Sequence, residues 1–179
     1  LDRVSVRLVT SGDADLPELV EVLTRQQPGS GYPVRLPPPF PAVDFIKRPG
    51  ELGAWVAVAG GAIPGHVSVM RVPDEPLVTS AGDEAAIWSA GTGLPPHRLA
   101  SVNALFVDPT AAGQGVGAAL HDVAVAAIRE EGLVPVLDVV SRNTAAVRLD
   151  ERRGWRLIGT GRPDWLPDEW DPVWYMTLD

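Results

Sequence analysis

Three alternating glycines between an apolar strand and a helix are the residues of this chain with the clearest chemical meaning. Gly113, Gly115 and Gly117 lie in the segment LFVDPTAAGQGVGAAL, residues 105–120. Glycine allows the backbone to turn sharply and to approach a ligand closely. The amides that open the following helix then favour an anion, both as donors and through the helix dipole. The spacing predicts a backbone site for a phosphate group, and the alternative is a structural turn without a ligand.

One class of phosphate ligand that fits this segment is a dinucleotide. Gly113, Gly115 and Ala118 match the pattern Gly-x-Gly-x-x-Gly/Ala, and Asp138 on the next strand is a candidate for the ribose-binding acid. However, residues 108–112 separate the strand from the first glycine, and the apolar strand continues beyond Asp138. A dinucleotide turn begins directly at the strand end. An NAD(P)-dependent oxidoreductase therefore stays as a disfavoured alternative.

The same segment resembles the GNAT superfamily of N-acetyltransferases, which hold the pyrophosphate of acetyl-CoA on such a turn. Members of the family have a Val-x-Pro-like corner and a segment Gln/Arg-x-x-Gly-x-Gly/Ala. Here Val107-Asp108-Pro109 and Gly115-Val116-Gly117 match, and Ala112 stands where Gln or Arg is usual.

The resemblance continues downstream with the spacing kept. The family has a Leu-x-Val strand, then Asn-x-x-Ala, a Leu-Tyr pair and Gly-Phe. The matching residues are Leu137-Asp138-Val139, Asn143, Ala146, Leu149-Asp150 and Gly154-Trp155. Asp150 therefore occupies the position of the family's tyrosine acid.

The resemblance implies that acetyl-CoA is the cosubstrate and that its acetyl group passes directly to an amine in a ternary complex. Cofactor contacts are then expected from the main chain of the strand, from the glycine turn and from one asparagine. These residues are Leu105, Phe106, Val107, Gly113, Gln114, Gly115, Val116, Gly117, Ala118 and Asn143. Asn143 also fits a helix N-cap, and both roles are compatible.

Two aspartates are the candidate catalytic residues, Asp138 and Asp150. An ordinary aspartate has a pKa near 4, so Asp150 could protonate a departing thiolate at neutral pH only if burial raised its pKa. A thiolate leaves at pH 7 for about 2 kcal/mol, whereas deprotonating a lysine-like amine costs nearer 5 kcal/mol. A base is therefore the larger need, and Asp138, His66 and His97 are the candidates. For each histidine, an ordinary surface or packed imidazole is the alternative.

The elements that must position these residues follow from hydrophobic periodicity and turn residues. We predict helices over 13–25, 116–130 and from Asn143 to Gly154, and irregular segments over 26–50 and 73–98. The predicted strands are 4–9, 54–59, 66–72, 101–107, 134–140, 155–160 and 173–178, with turns at Gly60-Gly61 and Pro64-Gly65. The prediction is an α/β chain with one GNAT-like domain over residues 1–179. Its central sheet is mixed, mostly antiparallel, of about seven strands, and flanked by helices.

Composition limits the partners. The formal charge of -8 and the isoelectric point near 4.8 disfavour nucleic acid and anionic membranes and favour a small cationic amine as acceptor. The chain has no cysteine, which excludes a cysteinyl intermediate, and three scattered histidines give no metal site. No apolar run reaches the roughly 20 residues of a membrane span. We expect a soluble cytoplasmic protein, and the sequence leaves a homodimer open.

Two further alternatives remain at this point. The off-pattern residues Ala112 and Asp150 are also compatible with a catalytically silent acyl-CoA-binding module that acts as a sensor or scaffold. In the segment 161–175, three tryptophans are interspersed with carboxylates. They could bind a cation that has apolar parts, or they could anchor the last hairpin to the core.

Overall fold

The computed structural model describes residues 7–74 and 84–179. Its strands are β1 (Arg7–Thr10), β2 (Glu51–Ala59), β3 (Ala62–Arg71), β4 (Leu99–Val107), β5 (Val134–Val139), β6 (Arg156–Gly161) and β7 (Val173–Thr177). Its helices are α1 (Leu16–Ser30), α2 (Ala42–Ile46), α3 (Glu84–Thr92), α4 (Val116–Glu130) and α5 (Thr144–Arg152). Short 3₁₀ turns cover Asp13–Asp15, Pro96–Arg98 and Pro109–Ala111.

The strands form one sheet in the order β1-β2-β3-β4-β5-β7-β6. The pairs β1–β2, β2–β3, β5–β7 and β6–β7 are antiparallel, whereas β4 and β5 run parallel. The predicted mixed sheet of seven strands with flanking helices is confirmed. The residues cluster into two compact units, 1–70 with 102–127 and 71–101 with 128–179. The assignment of residues 1–179 to one domain stays a prediction.

The first unit has its apolar core between helices α1 and α2 and strands β2–β4. Nine buried side chains form this core, namely Leu19, Val22, Leu23, Phe45, Ile46, Val56, Ile63, Ala104 and Phe106. The i, i+3, i+4 spacing of the α1 residues explains why one face of that helix is buried. This core supports the end of β4, where the predicted cofactor contacts begin.

The second unit has a separate core in which Trp88 is central. The indole of Trp88 lies edge-on to Tyr175 at 5.7 Å between ring centroids and donates a hydrogen bond to the carbonyl of Leu137. The other buried members of the cluster are Val72, Leu99, Val136, Leu166 and Val173. These contacts hold α3 to strands β5 and β7.

Three predictions of irregular or turn structure were wrong. Helix α1 continues through Pro28 to Ser30, although proline disfavours the interior of a helix, and it ends at Gly31 with φ of 69°. Residues 84–92 form α3, in which Gly91 weakens the helical signal of the sequence. A Cβ on Gly91 would lie 2.6 Å from Ile158 Cβ, so close packing against β6 explains that glycine. The five-residue helix α2 was also missed.

The predicted turn at Pro64-Gly65 is instead part of β3. Gly65 is required there because a Cβ would lie 2.9 Å from both the Phe106 carbonyl oxygen and Leu120 Cδ1. The other boundaries agree within a few residues, and α4 agrees at both ends. Residues 4–6 of the predicted strand 4–9 and residues 75–83 of the predicted irregular segment 73–98 lie outside the described part of the chain. In the described ranges, no helix is long and apolar enough to cross a membrane, and no three potential metal-ligand side chains form a group.

Candidate active site

The glycine turn before α4 is open to solvent. Residues 112–115 are all exposed, and Gly113 and Gly115 have positive φ angles of 74° and 85°. A Cβ added to either glycine would meet no atom within 4 Å. Both glycines are therefore needed for their backbone conformation rather than for close packing against the protein. The open space above them is what a ligand approaching the backbone requires.

The first turn of α4 presents backbone amides at this place. The first hydrogen bond of the helix runs from Ala119 N to Gly115 O at 3.0 Å. The amides of Val116 and Gly117 precede it, and the geometry of a helix start gives them no intrahelical acceptor. Among residues 7–74 and 84–179, neither amide has a backbone hydrogen bond. These donors, together with the helix dipole, form a site suited to an anion.

Asp108 anchors the segment that leads into the turn, and sequence reasoning did not identify it. Its side chain accepts hydrogen bonds from Thr110 N at 2.9 Å and Thr110 Oγ1 at 2.7 Å. It also accepts two from Arg25 of α1, at 2.9 and 2.7 Å. Burial alone would raise the pKa of Asp108, but the bonds from Thr110 and Arg25 outweigh it and hold the pKa below its ordinary value. The anionic carboxylate thus fixes the entrance to the glycine turn.

The last residues of β4 are the predicted main-chain contacts, and their backbone is irregular. Phe106 is buried, whereas Leu105 and Val107 are half-buried on the other face of the strand. Just before them, Ala104 has a φ of 47°. This left-handed conformation is rare for a residue with a side chain and interrupts regular strand geometry. The main chain of Leu105–Val107 therefore takes its direction from a bend at Ala104.

The structure separates the histidines into different environments. His66 is 1% exposed, and burial lowers its pKa to about 4 against the opposing effect of a hydrogen bond to Ala104 O. A base this weak is poorly suited to deprotonating an alkyl amine. His97 is exposed and lies 3.1 Å from Asp74. His121 on α4 is 2% exposed, and its Nδ1 lies 3.1 Å from Asp122 Oδ1.

In the second unit, Asn143 caps α5 and Asp138 lies on β5. Asn143 accepts a hydrogen bond from Ala146 N at 3.3 Å, which confirms the N-cap. Its predicted cofactor contact stays a prediction. Asp138 is half-buried and lies opposite Tyr175 of β7. This position leaves its proposed role as a base open.

Asp150 is the most perturbed carboxyl group of this unit. It lies on α5 and is only 4% exposed. Burial raises its pKa from 3.8 to about 7, with Arg153 lowering it and Glu151 adding to the rise. The raised pKa is the condition under which an aspartate at this position could donate a proton at neutral pH. The sequence alone could not provide it, because burial depends on the packing around α5.

The tryptophan segment has the features of a structural anchor. The guanidinium of Arg142 lies 4.7 Å above the ring of Trp170, so a cation from the protein covers this face. Arg162 donates hydrogen bonds to the carbonyls of Trp170 at 2.6 Å and Asp168 at 2.7 Å. Trp165 and Trp170 pack against the core of the second unit. These contacts favour the anchoring alternative over a cation site.

Comparison with known proteins identifies the family to which this arrangement belongs. The model of the acetyltransferase (GNAT) family matches residues 16–155, most of the chain. The chain belongs to the GNAT family. The match includes the glycine turn, α4 and Asp150, which carry the motifs of the family.

Two curated relatives of this GNAT chain are mycothiol acetyltransferases. The one from Salinispora tropica is 34% identical over 142 residues, which cover 66% of this chain and 46% of the relative. The one from Geodermatophilus obscurus is 48% identical over 61 residues, covering 34% of this chain and 20% of the relative. The chain thus spans less than half the length of these curated relatives.

Solved structures resemble this GNAT chain along nearly its whole length. A GCN5-related N-acetyltransferase from Kribbella flavida has a TM-score of 0.68 at 21% identity, covering 97% of this chain and 96% of that one. The yncA protein of Salmonella typhimurium, solved with its cofactor acetyl-CoA, has a TM-score of 0.68 at 16% identity, with coverage of 97% and 92%. The ribosomal-protein-S18-alanine N-acetyltransferase of Escherichia coli has a TM-score of 0.66 at 17% identity, covering 97% and 93%. At these identities, the likeness shows a common fold.

Proposed function

We propose that this chain transfers the acetyl group of acetyl-CoA directly to a primary amine of a small, cationic acceptor. The observation that carries the proposal is the exposed glycine turn at 113–115, where two positive-φ glycines have open space at their Cβ positions and lead into the first amides of α4. A diphosphate is the ligand for which such donors are suited. The negative charge of the chain favours a cationic acceptor.

In this proposal, backbone groups bind the cofactor. The diphosphate accepts hydrogen bonds from the turn and from the start of α4. The main chain of Leu105–Val107 binds the pantetheine arm and the thioester oxygen, a role supported by the family motif. Asn143 contributes a further contact through its position in that motif, in addition to capping α5. Direct transfer fits a chain without cysteine, since no thiol nucleophile is present.

Asp150 acts as the acid that protonates the departing thiolate. Proton transfer from a carboxyl group with a pKa of about 7 to a thiolate with a pKa of about 8.5 is downhill by about 2 kcal/mol. An ordinary aspartate is a stronger acid, but it is ionised at pH 7, and protonating it before the transfer would cost about 4 kcal/mol. Because burial raises the pKa of Asp150 to about 7, a large share of its carboxyl group is protonated at neutral pH and can donate a proton. Asp138 stays the candidate for the base that accepts the amine proton.

A titration with acetyl-CoA tests the binding step. At about one hundred times the dissociation constant, a ligand that binds only the folded state adds about 2.7 kcal/mol of stability, which raises the melting midpoint by several degrees. NAD and NADP serve as matched controls with a pyrophosphate but no pantetheine arm. A midpoint that rises with a dinucleotide and not with acetyl-CoA would contradict the proposal.

A turnover assay tests the transfer step. Thiol release from acetyl-CoA is measured with polyamines, aminoglycosides, amino acids and peptide N-termini. The panel also includes the acceptor of the mycothiol acetyltransferases, because two such proteins are relatives. Binding of acetyl-CoA with no turnover of any amine would instead support the silent sensor or scaffold module.

A further inference from the structure

The bend in β4 is maintained at an energetic cost. Ala104 is the one non-glycine residue with a positive φ in the part of the chain that the structure describes, and it is 1% exposed. A left-handed conformation is unfavourable for a residue with a Cβ, because the Cβ comes too close to the following carbonyl oxygen. A bend that persists at a buried alanine must be held by its surroundings.

A side chain of the neighbouring strand β3 contacts this bend. The Nδ1 atom of His66 lies 2.9 Å from the carbonyl oxygen of Ala104. A carbonyl oxygen can only accept, so Nδ1 carries the hydrogen and donates it. The adjacent carbonyl, that of Asn103, accepts a longer hydrogen bond of 3.4 Å from Ser68 Oγ of the same strand. Two consecutive carbonyls of β4 therefore have side chains of β3 as partners.

The imidazole ring also contacts Phe106, two residues after the bend. His66 stacks on Phe106 with 5.4 Å between ring centroids and 27° between ring planes. Phe106 is in the centre of the main-chain segment to which the proposed function assigns the pantetheine arm. One side chain therefore contacts both the bent residue and the segment whose direction the bend sets.

We propose that His66 is a positioning residue: its Nδ1–H holds the carbonyl of Ala104 in the left-handed bend and so directs the main chain of Leu105–Val107 toward acetyl-CoA. This inference rests on the proposed function for its effect on binding, but the hydrogen bond itself can be tested without the cofactor. It replaces the role of base that the sequence allowed for this histidine. Because burial lowers the pKa of His66 to about 4, the ring stays neutral around neutral pH and keeps one donor and one acceptor nitrogen.

Two substitutions separate the hydrogen bond from the packing. His66→Asn keeps an amide donor at the position of Nδ1 and removes the ring. His66→Phe keeps the ring that stacks on Phe106 and removes the donor. We expect His66→Phe to raise the acetyl-CoA dissociation constant about tenfold, the effect of losing one hydrogen bond of the stronger kind. We expect His66→Asn to stay within about threefold of the parent.

A purely structural role predicts the opposite order. Packing alone favours the aromatic replacement, so His66→Phe would then bind acetyl-CoA like the parent and His66→Asn would be the weaker binder. That order overturns the proposal. Melting midpoints of both variants are recorded beside the dissociation constants, because an affinity that merely follows stability would also contradict it.

A spectroscopic measurement on the parent chain covers the case in which either variant fails to fold. Imidazole ¹⁵N chemical shifts distinguish the two neutral tautomers, and the proposal requires the proton on Nδ1. A proton on Nε2 overturns it. If the parent does not bind acetyl-CoA but has the Nδ1 proton, the proposed function fails while the hydrogen bond to the bend is confirmed. The two ideas can therefore fail separately.

Discussion

Replacing Asp150 with asparagine should make the chain more stable at neutral and alkaline pH and should remove much of the pH dependence of its stability. Asp150 is 4% exposed, and burial raises its pKa from 3.8 to about 7. The folded state therefore prefers the neutral carboxyl. Asparagine has nearly the same shape but cannot ionise, so it keeps the neutral form at every pH.

The sign and size of the effect follow from proton linkage. A folded-state pKa above the unfolded value gives a contribution to stability that is fully present below pH 3.8. It is lost as the pH rises through about 7. A shift of about three units corresponds to about 4 kcal/mol at 1.36 kcal/mol per unit. The variant should gain on the parent by about 2 kcal/mol at pH 5 and about 4 kcal/mol at pH 8.

Urea unfolding followed by far-ultraviolet circular dichroism measures this difference at pH 5, 6, 7 and 8. The buried amide adds a desolvation cost of its own, but that cost does not change with pH, so the slope is the diagnostic quantity. Asp171→Asn is the matched control, since Asp171 is an exposed aspartate of the same unit. A difference between Asp150→Asn and the parent that is the same at all four pH values would refute the reasoning.

Three further substitutions test the cofactor turn and its supports. Gly115→Ala and Gly132→Ala carry the same left-handed strain in open space, so each should cost about 1 kcal/mol, but only Gly115→Ala should weaken acetyl-CoA binding in calorimetry. Gly65→Ala should destabilise by about 1–3 kcal/mol and lower acetyl-CoA affinity, whereas the exposed helical control Gly29→Ala should be neutral or stabilising in thermal melts. Asp108→Asn should be less stable than the parent at pH 7. Its denaturation midpoint should approach that of the parent in acid. A folded-state pKa below the unfolded value stabilises the folded chain when the carboxylate is ionised, and this contribution is lost as the pH falls and Asp108 is protonated.

Each of these three comparisons can fail clearly. Equal loss of acetyl-CoA affinity in Gly115→Ala and Gly132→Ala would show that strain, rather than the site, determines binding. Unchanged affinity in Gly65→Ala would show that the Phe106 carbonyl adjusts without consequence. A constant stability difference between Asp108→Asn and the parent from pH 3 to pH 7 would show that the charge of Asp108 does not contribute to stability.

The sequence predicted those features that depend on local spacing. Helix α4 and its glycine turn follow from apolar residues at intervals of three and four and from glycines that tolerate positive φ. The N-cap at Asn143 follows from its side-chain chemistry in the same way. These features can be predicted from the sequence because they depend mainly on residues that are close together along the chain.

The missed features depend on contacts between residues distant in sequence. Gly91 conceals helix α3 in the sequence, yet it is explained by a close approach to Ile158 of β6. Asp108 bonds to Arg25 across 83 positions of the chain. The pKa of Asp150 requires the packing that buries it. Periodicity and motifs do not predict these features, because each one depends on which distant part of the chain packs against the residue.

The proposed role of Asp150 as an acid can be tested by varying the leaving group. The buried carboxyl should donate to the thiolate in its protonated form, so the transfer rate should fall as the pH rises through about 7. A base would produce a rise in the transfer rate through the same pH, as would deprotonation of the amine substrate.

Acetyl thioesters of more acidic thiols isolate the acid role, since their thiolates leave with little help from a proton. We expect Asp150→Asn to reduce kcat strongly with acetyl-CoA and only weakly with an acetyl thioester of a low-pKa thiol. An equal reduction with both donors would mean that Asp150 does not protonate the sulfur.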